Sequence, residues 1–431
     1  MSDESRWAAL TRQTPEWFTK AKLGIFVHWG PYSVPAWAEP IGELGTIEAE
    51  RWFTHNPYAE WYFNTIRIEG SPAQAHHHQV WDDRPYDDFL DLWQAESFDA
   101  RELAETFRAA GASYVVLTTK HHDGVTLWDA PGTEGRNTVA RGPKRDLVHE
   151  WADGVRAAGL RFATYYSGGL DWYYRPFPPH QGESFEGQRP KDADYASYAG
   201  RHVRDLVERY RPDVLWNDIQ WPDAGKDFGP DGIGTIFEEY YATAPEGLVN
   251  DRWNVPHHDF ATSEYQASLE NEAAEVWENT RGVGLSFGYN AVESDHAITG
   301  AQAARHLTDV VSRGGRLLLG VGPKADGTLP DWQRLILADL GRWMAVVGPL
   351  LAEVSPSGGT DDLVAGDNVW VRRGRVGDDE VCFVDVPDTE SGIVELHRPM
   401  SLVTPEWATL DGATLRIGPR PGPVVLSLLP D

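Results

Sequence analysis

The sequence predicts an α/β protein: a TIM-like (β/α)8 barrel over residues 1–347, then a small C-terminal antiparallel β-domain, sandwich-like, over 348–431. Three observations predict it. From residue 20 to about 345, short apolar runs alternate with amphipathic helical stretches, the pattern of a parallel sheet with helices packed outside. Polar and aromatic residues crowd the C-terminal ends of those runs, where such a barrel keeps its active site. After about residue 350 the runs become short and alternating, broken by Gly, Pro and Asp, as in an antiparallel sheet.

In chain order the expected barrel strands are Leu23–His28, Ser113–Thr119, Arg161–Ser167, Asp213–Asn217, Leu248–Asp251, Phe260–Ser263, Leu285–Gly288 and Arg316–Gly320. Asp99 is placed to cap a helix running to Ala110, with Gly111 as its stop. Asp146 to Ala158 repeats that design and ends at Gly159. A third helix covers about Ala193 to Tyr210 and is closed by Pro212, and a fourth runs from Ala301 to Arg313 before Gly314-Gly315. The last crossovers read as short or irregular. Beyond them, Asn368–Arg373, Glu380–Val386, Gly392–Leu396 and Val424–Leu429 read as strands without catalytic residues.

The chain of 431 residues carries 38 Lys and Arg against 66 Asp and Glu, a net charge of −28. So acidic a shell argues against nucleic acid and anionic membranes as partners. The single cysteine, Cys382, excludes an internal disulfide and a Cys-based metal cage. The N-terminus has no signal-peptide pattern, and the reading finds no apolar run near membrane-spanning length; both point to a soluble, cytoplasmic protein. Homo-oligomerisation stays open. Nineteen Trp among 12% aromatics suit the apolar faces of sugars as well as a core.

The segment Asp213-Val-Leu-Trp-Asn-Asp218 carries the sharpest signal. An apolar run ends in a carboxylate beside Trp216, and burying a carboxylate is costly unless something pairs with it or uses it. Asp218 is either a nucleophile or a strand-end cap. Glu264, at another strand end, is its natural partner acid if its surroundings are apolar, since hydrolysis of a glycosidic bond takes two carboxylates. Glu270, Glu272 and Glu275 are rivals that read as a solvated face, and Glu60 sits among aromatics in Tyr58-Ala-Glu-Trp-Tyr62. Arg252 either holds one of the carboxylates ionised or makes a surface salt bridge.

His28, His121 and His122 invite a metal site. Neighbouring side chains on a strand point to opposite faces, however, and no helical ligand spacing occurs, so neutral histidines donating to substrate hydroxyls are the better use. No metal and no cofactor is expected. His76-His77-His78 and His257-His258 read as solvated. No nucleophile elbow or phosphate-binding Gly loop follows a strand, and Gly168-Gly169 reads as a tight turn folding Leu170-Asp171-Trp172 over the pocket.

Several motifs resemble a known family. Lys22-Leu-Gly-Ile-Phe-Val-His-Trp-Gly-Pro-Tyr-Ser-Val-Pro-Ala-Trp37, Tyr114-Val-Val-Leu-Thr-Thr-Lys-His-His-Asp-Gly124 and Tyr165-Tyr-Ser-Gly-Gly-Leu-Asp-Trp172 resemble signatures of the α-L-fucosidases of glycoside hydrolase family 29. So do Asp213–Asp218, Val249-Asn-Asp-Arg-Trp253, Thr280-Arg-Gly-Val-Gly-Leu-Ser-Phe-Gly-Tyr-Asn290 and Leu317–Gly327. The resemblance implies a retaining exo-α-L-fucosidase on a TIM-like barrel, acting on a small or oligosaccharide fucoside by double displacement. It assigns Asp218 as nucleophile and Glu264 as general acid/base. It places the sugar against His28, Glu60, Trp61, His121, His122, Tyr166, Trp216, Arg252 and Phe287. Residues 38–48 and 266–278 depart from the family pattern and border the aglycone side. A hydrolase for a related sugar such as an α-L-galactoside, a carbohydrate-binding barrel without catalysis and a metal-dependent hydrolase are the alternatives.

Overall fold

The computed structural model describes residues 2–174, 178–182, 186–268, 276–357, 363–365, 368–387 and 391–429. Eight parallel strands form one curled sheet: β1 Leu23–Val27, β2 Tyr114–Lys120, β3 Arg161–Ser167, β4 Val214–Asp218, β5 Leu248–Val249, β6 Ala261–Glu264, β7 Trp277–Gly282 and β8 Arg316–Val321. Their order is β5-β4-β3-β2-β1-β8-β7-β6. The two outer strands meet through one parallel bridge, Asn250 to Phe260, which closes the ring. Strands covered on both faces can be apolar throughout, and all five residues of β1 are buried. Ile25 lies level with Val115 on one side and Leu319 on the other.

One strand departs from expectation. The seventh is Trp277–Gly282, and Leu285–Gly288 is a loop that crosses the barrel mouth. The true strand hides its periodicity because Glu278, Asn279 and Thr280 are buried polar residues whose partners come from elsewhere in the fold. β5 is also shorter than expected; its apolar run turns into a single helical turn, Asp251–Trp253.

The helices follow their sequence signals. Asp99 accepts from the backbone N–H groups of Arg101 and Glu102 and starts the helix Ala100–Ala109. Asp146 and Asp192 do the same for Leu147–Ala157 and Ala193–Tyr210. Thr299 and Gln302 form a reciprocal capping box for Gly300–Ser312. Gly111 ends its helix at φ +95, a conformation that favours glycine. The helix Ile233–Thr243, which joins β4 to β5, is not among the helices expected from the sequence. His77 lies within the helix Pro72–Trp81, buried between the Tyr62 hydroxyl and the Arg84 carbonyl; His257 is likewise buried beside Tyr241, so neither is the solvated histidine the sequence suggests.

The 23-residue helix Asp331–Glu353 spans the expected boundary at 347. By length and composition it is the one described helix apolar enough to cross a membrane, with an 18-residue stretch of mean hydropathy 1.5 that the sequence reading passed over. Its stripe of Ile336, Leu337, Leu340, Trp343, Val347 and Leu351 packs into the main core. Beyond it, two antiparallel sheets of five and four strands bury Cys382, Val384, Val394, Leu415, Val424 and Leu426 between them. The alternate residues Val381, Phe383 and Val425 face the barrel helices, as period-two alternation requires.

Candidate active site

The C-terminal strand ends and the loop crossing the mouth enclose a narrow cavity. It is lined by Phe26, His28, Tyr58, Glu60, Trp61, His121, His122, Tyr165, Trp216, Asp218, Arg252, Glu264, Thr280 and Phe287. Every site residue expected from the sequence is there except Tyr166.

Parity explains the exception. Tyr165 pairs with Trp216 and Ser167 with Asp218 in the β3–β4 ladder, so residues 165 and 216 share the inward face. Tyr166 points outward, its hydroxyl on His202 Nδ1 at 3.0 Å and its ring 4.7 Å from Lys120 Nζ. The inward tyrosine is Tyr165, whose O–H donates to Asp218 Oδ2 at 2.9 Å.

Asp218 Oδ1 accepts from Arg252 Nη1 and from the Ile219 amide, both at 3.0 Å. The second terminal nitrogen of Arg252 donates to Glu264 Oε2 at 3.1 Å, while Tyr58 O–H donates to Glu264 Oε1 at 2.8 Å. One guanidinium therefore ties together carboxylates from β4 and β6. Its Nε donates to Thr262 Oγ1, whose hydroxyl in turn donates to Asp251 Oδ1, so a row of side chains fixes its orientation. The side chains of Arg252, Asp218 and Glu264 are only 22%, 12% and 20% exposed. The two carboxylates hold the guanidinium charged despite its burial. Ile219 and Gln220 follow Asp218 at φ +56 and +68, and Tyr265 follows Glu264 at +58. A β-branched residue in that region is strained, so the turn after Asp218 is over-determined by its surroundings.

His121 and His122 lie beyond the end of β2, past a register shift between Thr118 and Lys120. Strand alternation no longer applies there, and both rings reach the cavity with centroids 4.0 Å apart. Burial drives His28 and His121 well below the usual histidine range and His122 down to about 3, so all three are neutral at pH 7. Ser167 O–H donates to the Leu170 carbonyl, so the 2.7 Å contact from His122 Nδ1 to Ser167 Oγ assigns the proton to Nδ1. His122 Nε2 is left as an acceptor, 3.8 Å from Asp218 Oδ2. Glu60 accepts from the Gly288 amide and Ser286 O–H, yet burial outweighs those bonds and pushes its carboxyl up to about 7. Phe26 and Phe287 stand 4.3 and 5.0 Å from the His28 ring and make an apolar corner.

The sequence reading missed Phe26, Tyr58, Tyr165 and Thr280. Phe26 was accessible by counting in twos from His28, whereas Tyr165 needs its pairing opposite Trp216. Thr280 needs the correct seventh strand. Tyr58 sits in a long insertion between β1 and β2 where no periodicity applies. Glu270, Glu272 and Glu275 lie outside the described residues. Gly168 and Gly169 answer to space rather than to a left-handed turn: a Cβ on Gly169 would meet the Ile219 carbonyl oxygen at 1.6 Å. Leu170-Asp171-Trp172 does reach the pocket wall, Trp172 packing on Trp61 and His122.

A model of the α-L-fucosidase family matches residues 2–349 of the chain. Human plasma α-L-fucosidase is 33% identical over 383 residues, covering 84% of this chain and 74% of its own. The crystal structure of the Thermotoga maritima α-fucosidase in complex with fucose is 40% identical, with a TM-score of 0.83 and coverage of 98% and 99%. The T. maritima α-L-fucosynthase in complex with α-L-Fuc-(1-2)-β-L-Fuc-N3 is 42% identical, with a TM-score of 0.84 and 97% of each chain covered.

Proposed function

Because the chain belongs to the α-L-fucosidase family and is a glycoside hydrolase, we propose that it is a retaining exo-α-L-fucosidase working by double displacement. The observation that carries this reading is the single guanidinium that holds Asp218 and Glu264 side by side. Carboxylates on neighbouring nitrogens of one Arg are close, as in retaining glycosidases, where they stand about 5–5.5 Å apart; inverting enzymes leave room for a water between them.

In the first step an Asp218 oxygen attacks the anomeric carbon as the glycosidic C–O bond breaks. Glu264 gives its proton to the departing oxygen, and a fucosyl ester of Asp218 forms with inverted configuration. In the second step the Glu264 carboxylate takes a proton from water, the water oxygen attacks the same carbon, and Asp218 leaves as carboxylate. Two inversions give net retention. Tyr165 O–H and Arg252 hold the attacking carboxylate in place. Neutral His28 and His121 can each donate and accept, and His122 offers Nε2 as an acceptor, which suits the sugar hydroxyls. The Phe26–Phe287 corner suits the C5 methyl of a 6-deoxy sugar, and the small cavity suits one terminal residue. The T. maritima relative binds fucose, which agrees with this assignment of the sugar.

Asp218→Gly tests the nucleophile. We expect hydrolysis of nitrophenyl α-L-fucoside to fall by about a thousandfold or more, with the fold retained. Added azide should restore turnover by taking the vacated position and giving a β-fucosyl azide. A variant that hydrolyses at the wild-type rate would refute the assignment.

A further inference from the structure

One layer below the cavity lies a carboxylate that takes no part in lining it. Glu278, on β7, is fully buried. Its Oε1 accepts from Trp216 Nε1–H at 2.9 Å, and its Oε2 accepts from the Tyr114 hydroxyl. Burial pushes the Glu278 carboxyl up, opposed by those two donors and by the charges of Arg316 and Arg252. Arg316, on β8, is itself buried, with its guanidinium 3.8 Å from the Phe18 ring. A buried carboxylate with two neutral donors is an expensive way to fill a barrel, since apolar residues of similar volume are often as stabilising.

What it holds gives it a use. The Trp216 ring lies 4.9 Å from the Arg252 guanidinium and 5.6 Å from the Tyr165 ring, which is nearly parallel to it at 22°. Arg252 and Tyr165 are the two side chains that donate to Asp218. An indole pinned at its N–H by a carboxylate cannot rotate about its χ angles, so neither neighbour can shift into its place.

We propose that Glu278 is a positioning residue for the reaction: by pinning the Trp216 indole it fixes Arg252 and Tyr165, and through them the carboxylate of Asp218. This rests on the fucosidase reading with Asp218 as nucleophile; wild-type activity on nitrophenyl α-L-fucoside and loss of it in Asp218→Gly are the controls that separate the two claims. Glu278→Leu removes both acceptors. Its kcat should fall roughly 10- to 100-fold with KM within about threefold, because the loss is of geometry at the reacting centre. Glu278→Gln, which can accept from Trp216 and donate to the Tyr114 oxygen, should recover most of the lost rate. If the Leu variant fails to fold, Tyr114→Phe decides: removing one of the two bonds to Glu278 should lower kcat and leave KM within about threefold. A folded Glu278→Leu, or a Tyr114→Phe, with wild-type kcat overturns the proposal, even if its melting temperature falls. An inactive wild type overturns the fucosidase reading as well.

Discussion

Arg252 donates to Asp218 through one nitrogen and to Glu264 through the other, so its removal leaves two nearly buried carboxylates facing each other without a cation between them. Removing one partner of a buried ion pair costs about 3–5 kcal/mol. Arg252→Ala should therefore lower stability by that order and kcat/KM by about a hundredfold or more. Arg252→Lys should fall between, because one ammonium cannot span both carboxylates as a planar fork does. Thermal melts and steady-state kinetics on the same preparations check both; an Ala variant with wild-type kcat/KM would show that the bridge is structural only. The two neighbouring tyrosines of β3 make a sharper contrast. Tyr165→Phe removes a hydrogen bond to the nucleophile and should cost about tenfold in kcat. Tyr166→Phe loses only the bond to His202, so activity should hold while stability drops by about 1 kcal/mol. Equal effects on kcat would contradict the inward and outward assignment.

At the scale of elements, the turn after β3 and the turn after β4 are locked together. Gly169 N–H donates to the Asp218 carbonyl at 3.2 Å, and there is no room for a Cβ against Ile219. Gly169→Ala should push the Ile219 turn and with it the end of β4, lowering kcat well beyond the fall in stability; wild-type kcat would show that the turn yields freely. Such contacts between turns are what a sequence hides. Caps and stops were legible because Asp99, Asp146 and Gly111 act on backbone within a few residues of themselves. Strand ends rich in His, Asp and Glu were legible because polar groups interrupt apolar runs abruptly. Strand β7 was not, because the polar side chains of Glu278 and Thr280 are satisfied by Trp216, Tyr114 and Ser263, residues distant in sequence. The same short-range vision chose Tyr166 over Tyr165: only the pairing with β4 says which of two adjacent tyrosines faces inward.

At the scale of the whole molecule, four buried carboxyls among the described residues, Glu60, Asp123, Glu278 and Glu293, are pushed upward by burial. The folded chain keeps a proton on Glu60 up to about pH 7, while the unfolded chain releases it near 4.5. The folded state binds more protons over that window, so the Glu60 contribution lowers stability as pH rises from about 4.5 to about 7. Glu60→Gln removes that slope. Its stability relative to wild type should improve between pH 5 and pH 8, by up to about 3 kcal/mol, and parallel melting curves for the two proteins would contradict it. The barrel, the closing loop and the two carboxylates come to one chemical claim: that Asp218 forms a covalent bond to fucose. Incubation with 2-deoxy-2-fluoro-fucosyl fluoride, followed by digestion and mass spectrometry, tests it most directly. The account predicts one fluorofucosyl label, on the peptide carrying Asp218. A label on Glu264 or another residue, or a protein that turns over fucosides yet never takes up the label, would contradict it.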